Sequence, residues 1–376
     1  MRASNNGDSR LSLLCADQRY GGVFGTVSSF LRAALIILVL IFVPAEQGWA
    51  ATSLAISQAT GGIPFSGTGP YLSQFGAMNA LGIGTPASGV NVISLTNGAL
   101  YFTPYQLTAS ANGNHTLTVS AIIKTNFTHA AALVLQSCPS NSACNTSGAF
   151  SNMSTTAAVT VMPATANNNT PITVTAGLGI FIPDNNGASA FAGTDTASIT
   201  LTLLDENNNK VATAEIDLNS PTGETLQTAV QLTLGTAAGG LTISPSADYA
   251  ANYGNVNGLG IGPGAGLTTT SVAGGAVYAT PYLLNPAFTE FSSTTATIQV
   301  ALTTNFAHPT VLQLDDSSAI GGPFTQITVT PLQITNTASS GSPITRYLGL
   351  FVSNANGAGV FTGSDTATLT FTMTVP

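Results

Sequence analysis

The sequence is poor in charge, histidine and tryptophan, and each shortage argues against a class of function. Only 6% of the 376 residues are charged, and beyond residue 50 three basic residues, Lys124, Lys210 and Arg346, face twelve acidic ones. So few cations cannot neutralise a phosphate backbone or an anionic bilayer, which argues against nucleic acid and anionic lipid as partners. Three histidines and one tryptophan, Trp49, leave few groups for acid–base chemistry or for stacking on sugars.

Long apolar runs are also missing. The run 33–43 has 11 residues, whereas a membrane-spanning helix needs about 20. Four arginines precede this run, and Pro44 and the small-residue pattern Gly48-Trp49-Ala50 follow it. This order predicts a secretory signal peptide over residues 1–50, cleaved after Ala50, with a retained membrane anchor as the alternative. We therefore expect a secreted protein, extracellular or at the cell surface, without a membrane span in the mature chain and with periplasmic transit where the host has a periplasm.

Cysteine is scarce, and its placement predicts one disulfide. Cys138 and Cys144 are the only cysteines after the signal segment, and they lie six residues apart in a loop rich in Pro, Ser and Asn. In an oxidising compartment this spacing predicts a local disulfide. The loop contains no histidine or acid, which argues against a metal or redox site. The corresponding stretch of the second half, Asp315–Phe324, has no cysteine, so we expect the bridge to staple an insertion and not to be required by the fold.

Four segments of the chain are present twice, in the same order. The pairs are Tyr71–Gly84 with Tyr249–Gly262, Gly98–Tyr105 with Gly275–Tyr282, Lys124–His129 with Thr303–His308, and Asn186–Ala197 with Asn356–Ala367. Repeated order of this kind predicts a tandem duplication of one domain. The predicted organisation is an N-terminal extension over 51–70, repeat 1 over 71–205, a hairpin or connector over 206–240, and repeat 2 over 241–376.

Hydrophobic residues alternate with polar ones throughout both repeats, which predicts strands with one buried face. The matched inward positions are Leu117, Val119, Ala121 and Ile123 with Ala296, Ile298, Val300 and Leu302, and Ile199, Leu201 and Leu203 with Leu369, Phe371 and Met373. Turn-forming clusters of Asn, Gly and Pro separate the strands. The predicted fold is all-β, with two tandem homologous antiparallel β-sandwich domains of the Ig-like, Greek-key kind after the signal peptide.

Asp184, Asp195 and Asp365 are the candidate metal ligands, because Ca²⁺ takes carboxylates and backbone carbonyls in Asn- and Gly-rich loops. The alternative is that Asp195 and Asp365 cap their own turns by accepting backbone N–H groups. The matched histidines, His129 and His308, have no acid nearby in sequence, which favours a structural role over a metal site.

The paired motif Tyr-x-Thr-Pro-Tyr is interpreted as corner packing, with a ligand platform as the alternative. Its tyrosines are Tyr101, Tyr105, Tyr278 and Tyr282. No nucleophile elbow, zinc-protease motif or phosphate-binding loop is present, so no catalytic or cofactor-binding residue and no cofactor are predicted.

The closing strands of repeat 2, Arg346–Val352 and Phe361–Val375, resemble those of the spore-coat-U-like domains, which include subunits of archaic chaperone-usher pili. The resemblance covers about thirty residues per repeat. It implies an Ig-like sandwich in a surface fibre or coat, and it carries over no catalytic residue. The chain departs from that family in lacking a cysteine pattern near the start of the domain and in fusing two copies.

These observations predict a secreted, non-enzymatic structural or adhesive protein of the cell surface, including a fibre or coat subunit. Its expected partners are other copies of itself, other surface proteins or a glycan, and the segment 51–69 could add as a strand to a neighbour's sheet. A secreted glycan- or calcium-binding module is the alternative, and a secreted hydrolase is the third class.

Overall fold

A computed structural model describes residues 52–218, 223–244, 248–355 and 360–376. The predicted signal peptide lies outside these residues, as does part of the Asn356–Ala367 repeat segment. Almost all regular structure is β, and the helical segments of the described chain are two 3-10 turns, Ser147–Ala149 and Gly187–Ser189. A helix of the length and apolar character needed to cross a bilayer is not found among the described residues. The all-β prediction is confirmed.

Fourteen strands of the described chain build the first sandwich. They are β1 (Ser53–Gln58), β2 (Tyr71–Leu72), β3 (Ala77–Met78), β4 (Asn91–Leu95), β5 (Gly98–Ser110), β6 (Thr116–Thr125), β7 (Val134–Cys138), β8 (Ser151–Asn152), β9 (Val159–Ala166), β10 (Ile172–Pro183), β11 (Gly193–Asp195), β12 (Ser198–Leu204), β13 (Lys210–Asp217) and β14 (Glu224–Leu226). One sheet has the order β1-β5-β10-β7-β8 with β4 also on β5, and the facing sheet has the order β2-β13-β12-β6-β9. A small third sheet, β11-β14-β3, lies beside them.

Nine strands build the second sandwich. They are β15 (Ala229–Thr236), β16 (Thr268–Val272), β17 (Gly275–Thr289), β18 (Ala296–Thr304), β19 (Leu312–Ser317), β20 (Thr325–Gln326), β21 (Leu332–Ala338), β22 (Ile344–Ser353) and β23 (Thr368–Thr374). The larger sheet has the order β15-β17-β22-β19-β20 with β16 also on β17, which is the order of the larger sheet in the first sandwich. The facing sheet, β21-β18-β23, has three strands where the first sandwich has five.

The alternating residues build the two cores as predicted. In β6, Leu117, Val119 and Ala121 are buried, and the residues between them are partly exposed. They belong to one apolar cluster that joins both sheets of the first sandwich, and a second cluster fills the second sandwich. Each fully buried Leu or Ile side chain contributes about 1.5–3 kcal/mol to folding, so the cores hold each pair of sheets together.

The predicted N-terminal extension is part of the first sandwich. Strand β1 pairs antiparallel with β5 from Ser53 opposite Ser110 to Gln58 opposite Tyr105. In this structure the segment completes its own sandwich, which was the alternative to its addition to a neighbouring molecule. Its apolar side chains, including Ile56 at 4% exposure, already fill the core of their own sandwich.

The segment 206–240, predicted as a hairpin or connector, contributes strands to both sandwiches. Strand β13 pairs with β12 in the first sandwich, and β14 pairs with β11 and β3. Strand β15 instead pairs with β17, from Ala229 opposite Thr289 to Thr236 opposite Tyr282. Each larger sheet therefore begins with an edge strand of its own, β1 or β15.

Direct hydrogen bonds also join the two sandwiches. The side-chain amide of Asn186 donates to the Phe288 carbonyl (2.9 Å), and its Oδ1 accepts the N–H of Phe291 (3.2 Å). The N–H of Gly187 donates to the carbonyl of Phe291 (2.7 Å). The loop after β10 and the end of β17 are thus held against each other.

Candidate functional site

The doubled aspartate and histidine meet in space, although they lie 66 residues apart in the first repeat and 57 in the second. In the first sandwich, Asp195 Oδ1 accepts the N–H groups of Thr128 (3.1 Å) and Thr196 (2.8 Å). Asp195 Oδ2 accepts the N–H of His129 (2.7 Å) and lies 3.0 Å from His129 Nδ1. An ionised carboxylate only accepts, so the ring donates its Nδ1 proton. The ring stacks on Phe191 with centroids 3.6 Å apart.

The second sandwich repeats this arrangement, which we call the Asp–His–Phe clamp in both places. Asp365 accepts the N–H groups of Ala307 (3.0 Å), His308 (2.9 Å) and Thr366 (2.8 Å). Its Oδ2 lies 2.9 Å from His308 Nδ1, and the ring stacks on Phe361 with centroids 3.8 Å apart. Each clamp ties the loop after β6 or β18 to the start of the closing strand.

Hydrogen bonding keeps both clamp carboxylates ionised. Burial alone would raise the pKa of Asp195, but the N–H groups of His129, Thr196 and Thr128 outweigh it and lower that pKa. The backbone N–H of Ala307 is the main cause that lowers the pKa of Asp365 to about 2. In the described chain, no serine, threonine or cysteine hydroxyl or thiol is hydrogen-bonded to either clamp histidine, and a nucleophilic triad requires such a bond.

The three calcium candidates do not converge. Both oxygens of Asp195 are occupied by N–H donors, and the same holds for Asp365. Asp184 instead lies within electrostatic reach of Glu290 at the contact between the sandwiches, and burial raises its pKa. Among the described residues, no group of three or more His, Cys, Asp or Glu side chains is placed to hold a metal ion. Asp195 and Asp365 instead cap their turns by accepting backbone N–H groups, which was the alternative to a calcium site.

The paired tyrosines are packing residues within β5 and β17, and the Thr-Pro pairs beside them lie inside these strands and not in turns. The Tyr101 hydroxyl donates to the Asn79 carbonyl and accepts the Asn79 N–H, both at 3.0 Å. Tyr278 does the same with Asn257, at 2.8 and 3.0 Å. Both rings are fully buried, which confirms the packing interpretation. The tyrosines explain why Tyr71–Gly84 and Gly98–Tyr105 are repeated together.

The predicted disulfide is present and closes an apolar cluster on the outer face of the larger sheet. Cys138 and Cys144 are bonded, and Cys138 packs with Leu100, Phe102 and Phe150. The rings of Phe102 and Phe150 are 5.2 Å apart. This outer cluster explains why β5 is buried on both faces at its start.

The last strand of the second sandwich has one open edge. Strand β12 lies between β6 and β13, whereas its counterpart β23 is hydrogen-bonded only to β18 among the described residues. The inward residues of β12 are Ile199, Leu201 and Leu203, all at 1% exposure or less, and those of β23 are Leu369, Phe371 and Met373, all partly exposed. The open edge has no charged residue or proline within β23, although both commonly protect edge strands.

Three buried acids with raised pKa values were missed from the sequence. Glu224 Oε2 accepts the N–H of Phe75 (2.9 Å) and Glu290 Oε2 accepts that of Phe191 (2.9 Å), while both Oε1 atoms are buried without a partner among the described residues. Burial raises the pKa of Glu224 to about 8 and that of Glu290 to about 7. Asp315, on β19, is the third. No local motif marks them, because each is buried by strands distant in sequence.

Comparison with known proteins returns no matching family model and no matching curated protein. Among solved structures, the chain is similar to the CupB6 tip adhesin from Pseudomonas aeruginosa, with 9% identity, 87% of this chain and 95% of that chain covered, and a TM-score of 0.31. A chaperone–tip adhesin complex of CFA/I fimbriae biogenesis matches with 13% identity, 86% and 91% coverage, and a TM-score of 0.22. CfaE, the adhesive subunit of the CFA/I fimbria of enterotoxigenic Escherichia coli, matches with 12% identity, 86% and 93% coverage, and a TM-score of 0.16.

Proposed function

We propose that the protein is a secreted, non-enzymatic structural or adhesive protein of the cell surface, and that it is a fibre or coat subunit. The observation that carries this proposal is the open edge of β23. An edge strand presents a row of unpaired N–H and C=O groups, which a strand from another molecule can complete. The second sandwich accepts such a strand in this proposal.

The first sandwich indicates the chemistry of the strand that fits. There, β13 occupies the corresponding position on β12, with Ile199 opposite Ile216 and Leu201 opposite Ala214. Ala214 and Ile216 are buried in the core, whereas Glu215 between them is partly exposed and Thr213 before them is exposed. The partner for β23 is therefore an extended segment in which small or branched apolar residues alternate with polar ones.

The polar groups support the non-enzymatic part of the proposal. The repeated acids and histidines are used within the clamps, where they hold loops. The paired tyrosines are buried within β5 and β17. What both sandwiches share is thus accounted for by folding, and it leaves the faces and edges of the sheets for contact with partners.

The proposal is tested by supplying the absent strand within the same molecule. A copy of residues 209–218 is attached after Pro376 through a flexible Gly/Ser linker. Because the added strand would bury an isoleucine and pair with the open edge, the thermal midpoint is expected to rise by roughly 5 °C or more. The unextended protein is expected to self-associate, or to bind a free peptide with the sequence of residues 209–218. The extended form is expected to do neither.

A matched control carries the same extension with aspartate at the positions copied from Ala214 and Ile216. It is expected to leave the midpoint and the association unchanged. If both extensions behave alike and the unextended protein stays monomeric at high concentration, the strand-accepting role is wrong. Surface labelling of cells and N-terminal sequencing test the location, and an intact N-terminus in the cytoplasm would contradict export.

A further inference from the structure

The outer faces of the two larger sheets differ in one respect. In the first sandwich, Phe102 lies opposite Asn91 and Gly179, and its ring belongs to the outer cluster closed by the disulfide. The residue at the same register of the second sandwich is Ala279, which lies opposite Thr268 and Gly349. The Phe102 ring thus has no counterpart in the second sandwich, and on this outer face a cavity of about 340 Å³ lies beside Val277, lined also by Thr270, Asp315, Phe324 and Phe351. We call it the outer pocket.

Strand register places a carboxylate in the outer pocket. Asp315 lies opposite Gly349 on one side and Gln326 on the other. A Cβ built on Gly349 would meet the ring of Phe324 at 2.9 Å, so the ring lies directly over this glycine. Phe351 adds a second aromatic wall. The pocket thus combines two rings with one carboxylate.

The carboxylate of Asp315 lacks a partner. The residue is 9% exposed, and within the described chain no side-chain hydrogen bond or ion pair is made by it. Burial raises its pKa to about 6. At neutral pH the Asp315 carboxylate is therefore ionised in an environment that disfavours its charge. Binding of a group that neutralises this charge is therefore favourable.

Two cations of the described chain, Lys124 and Arg346, are engaged elsewhere. Lys124 Nζ lies 2.8 Å from Glu215 Oε1, and Arg346 pairs with Asp316 on the opposite face of β19. Aromatic rings and a carboxylate that meet in one cavity are the features that recognise an organic cation, since the ring face attracts it and the carboxylate neutralises it.

We propose that the outer pocket binds an ammonium or guanidinium group on an aliphatic stem, presented as a lysine or arginine side chain of a partner protein. The cation pairs with Asp315, and the stem packs on Val277 and Phe351. A volume of about 340 Å³ is within the range of small-ligand sites. The acidic balance of the chain attracts such a partner over longer distances.

The proposal is tested by titrating ¹⁵N-labelled protein with Nα-acetyl-lysine methylamide and Nα-acetyl-arginine methylamide. Saturable shifts are expected for the amides of Gly349 and its neighbours. Nα-acetyl-norleucine methylamide has the stem without the charge and is expected to bind at least about tenfold more weakly. Galactose serves as the probe for a sugar site and is expected to cause no shift there.

Two variants locate the binding. Asp315→Asn keeps the shape of the side chain and removes its charge. It is expected to weaken binding of the lysine probe at least about tenfold without loss of folding. Val277→Phe enlarges a side chain that lines the pocket, fills part of its volume and is expected to abolish binding. The proposal is overturned if no probe binds, if norleucine or galactose binds as well as lysine, or if Asp315→Asn binds lysine unchanged. Because Asp315→Asn is isosteric, a folding defect of Val277→Phe leaves the test decisive.

Discussion

At the scale of single residues, the protein uses carboxylates in two opposite ways. The clamp acids, Asp195 and Asp365, accept several N–H groups and have lowered pKa values. Glu224, Glu290 and Asp315 are buried with one such bond or none, and their pKa values are raised. The difference lies in the number of donors that the fold supplies to each carboxylate.

Glu224→Gln is expected to stabilise the protein at alkaline pH and to have little effect at pH 4. The pKa of Glu224 is raised from 4.5 to about 8, so its contribution to stability is fully present below pH 4.5 and is lost as pH rises through 8. Between these values the wild type is expected to lose about 1.4 kcal/mol per pH unit relative to the variant. Urea unfolding at pH 4, 6 and 8 measures the difference.

Glu206→Gln is the matched control for that measurement. Hydrogen bonds, beginning with one from its own backbone N–H, lower the pKa of Glu206, so its removal changes the pH dependence in the opposite direction. Parallel curves for the wild type and Glu224→Gln at all three pH values would show that Glu224 does not titrate as described.

The roles of single residues were predictable in part. The packing of Tyr101 and Tyr278 follows from their repetition, although the Thr-Pro pairs beside them lie within strands and not in the turns that the sequence suggested. The partnership of His129 with Asp195 does not follow from local spacing, because β6 brings one to the other across 66 residues. The joint repetition of both residues in the second half was the available signal. The sequence gives no such signal for Asp315, because its burial depends on the neighbouring strands β22 and β20.

At the scale of elements, the alternation of apolar and polar residues predicted the strands. The pairing between strands decided which sandwich each strand belongs to. The sequence pattern of β15 is the same whether it closes one sandwich or opens the next. Its partner is fixed by β17, which provides a free edge for Ala229–Thr236. Likewise, the pattern of β23 predicts its inward residues but not that they remain partly exposed, because exposure depends on the neighbouring strand.

Replacing both bridged cysteines, Cys138→Ala with Cys144→Ala, is expected to lower the free energy of unfolding by about 2 kcal/mol. The bridge closes a short loop, which limits the unfolded chain only modestly, and its sulfurs pack against the backbone of Gly177. Urea midpoints with and without a reductant measure the effect. The reductant is expected to destabilise the wild type and not the variant. Equal midpoints in all four samples would contradict a stabilising role.

At the scale of the whole molecule, the contact between the two sandwiches, which we call the junction, determines whether they unfold together. Asn186 and Gly187 bond directly to the end of β17, as described above. A contact of this kind couples two domains, which would otherwise move and melt independently.

Asn186→Ala is expected to reduce the coupling by about 1–3 kcal/mol, because it removes one acceptor and one donor at the junction. Calorimetry is expected to show one transition for the wild type and a broader or divided one for the variant. Asn185→Ala is the control, because its side chain bonds to the Ala131 carbonyl within the first sandwich. Identical traces for the two variants would place the coupling elsewhere.

The short link between β14 and β15 has a consequence for dissecting the molecule. Two residues, Gln227 and Thr228, separate the strands, and the N–H of Gln227 donates to the Met78 carbonyl (2.8 Å). Proteases cleave exposed segments that lack hydrogen bonds. The two-residue link between β14 and β15 is shorter than the segments that proteases usually cleave. The halves will therefore not be released by mild digestion, and each must be expressed separately, with the chain divided at 227–228.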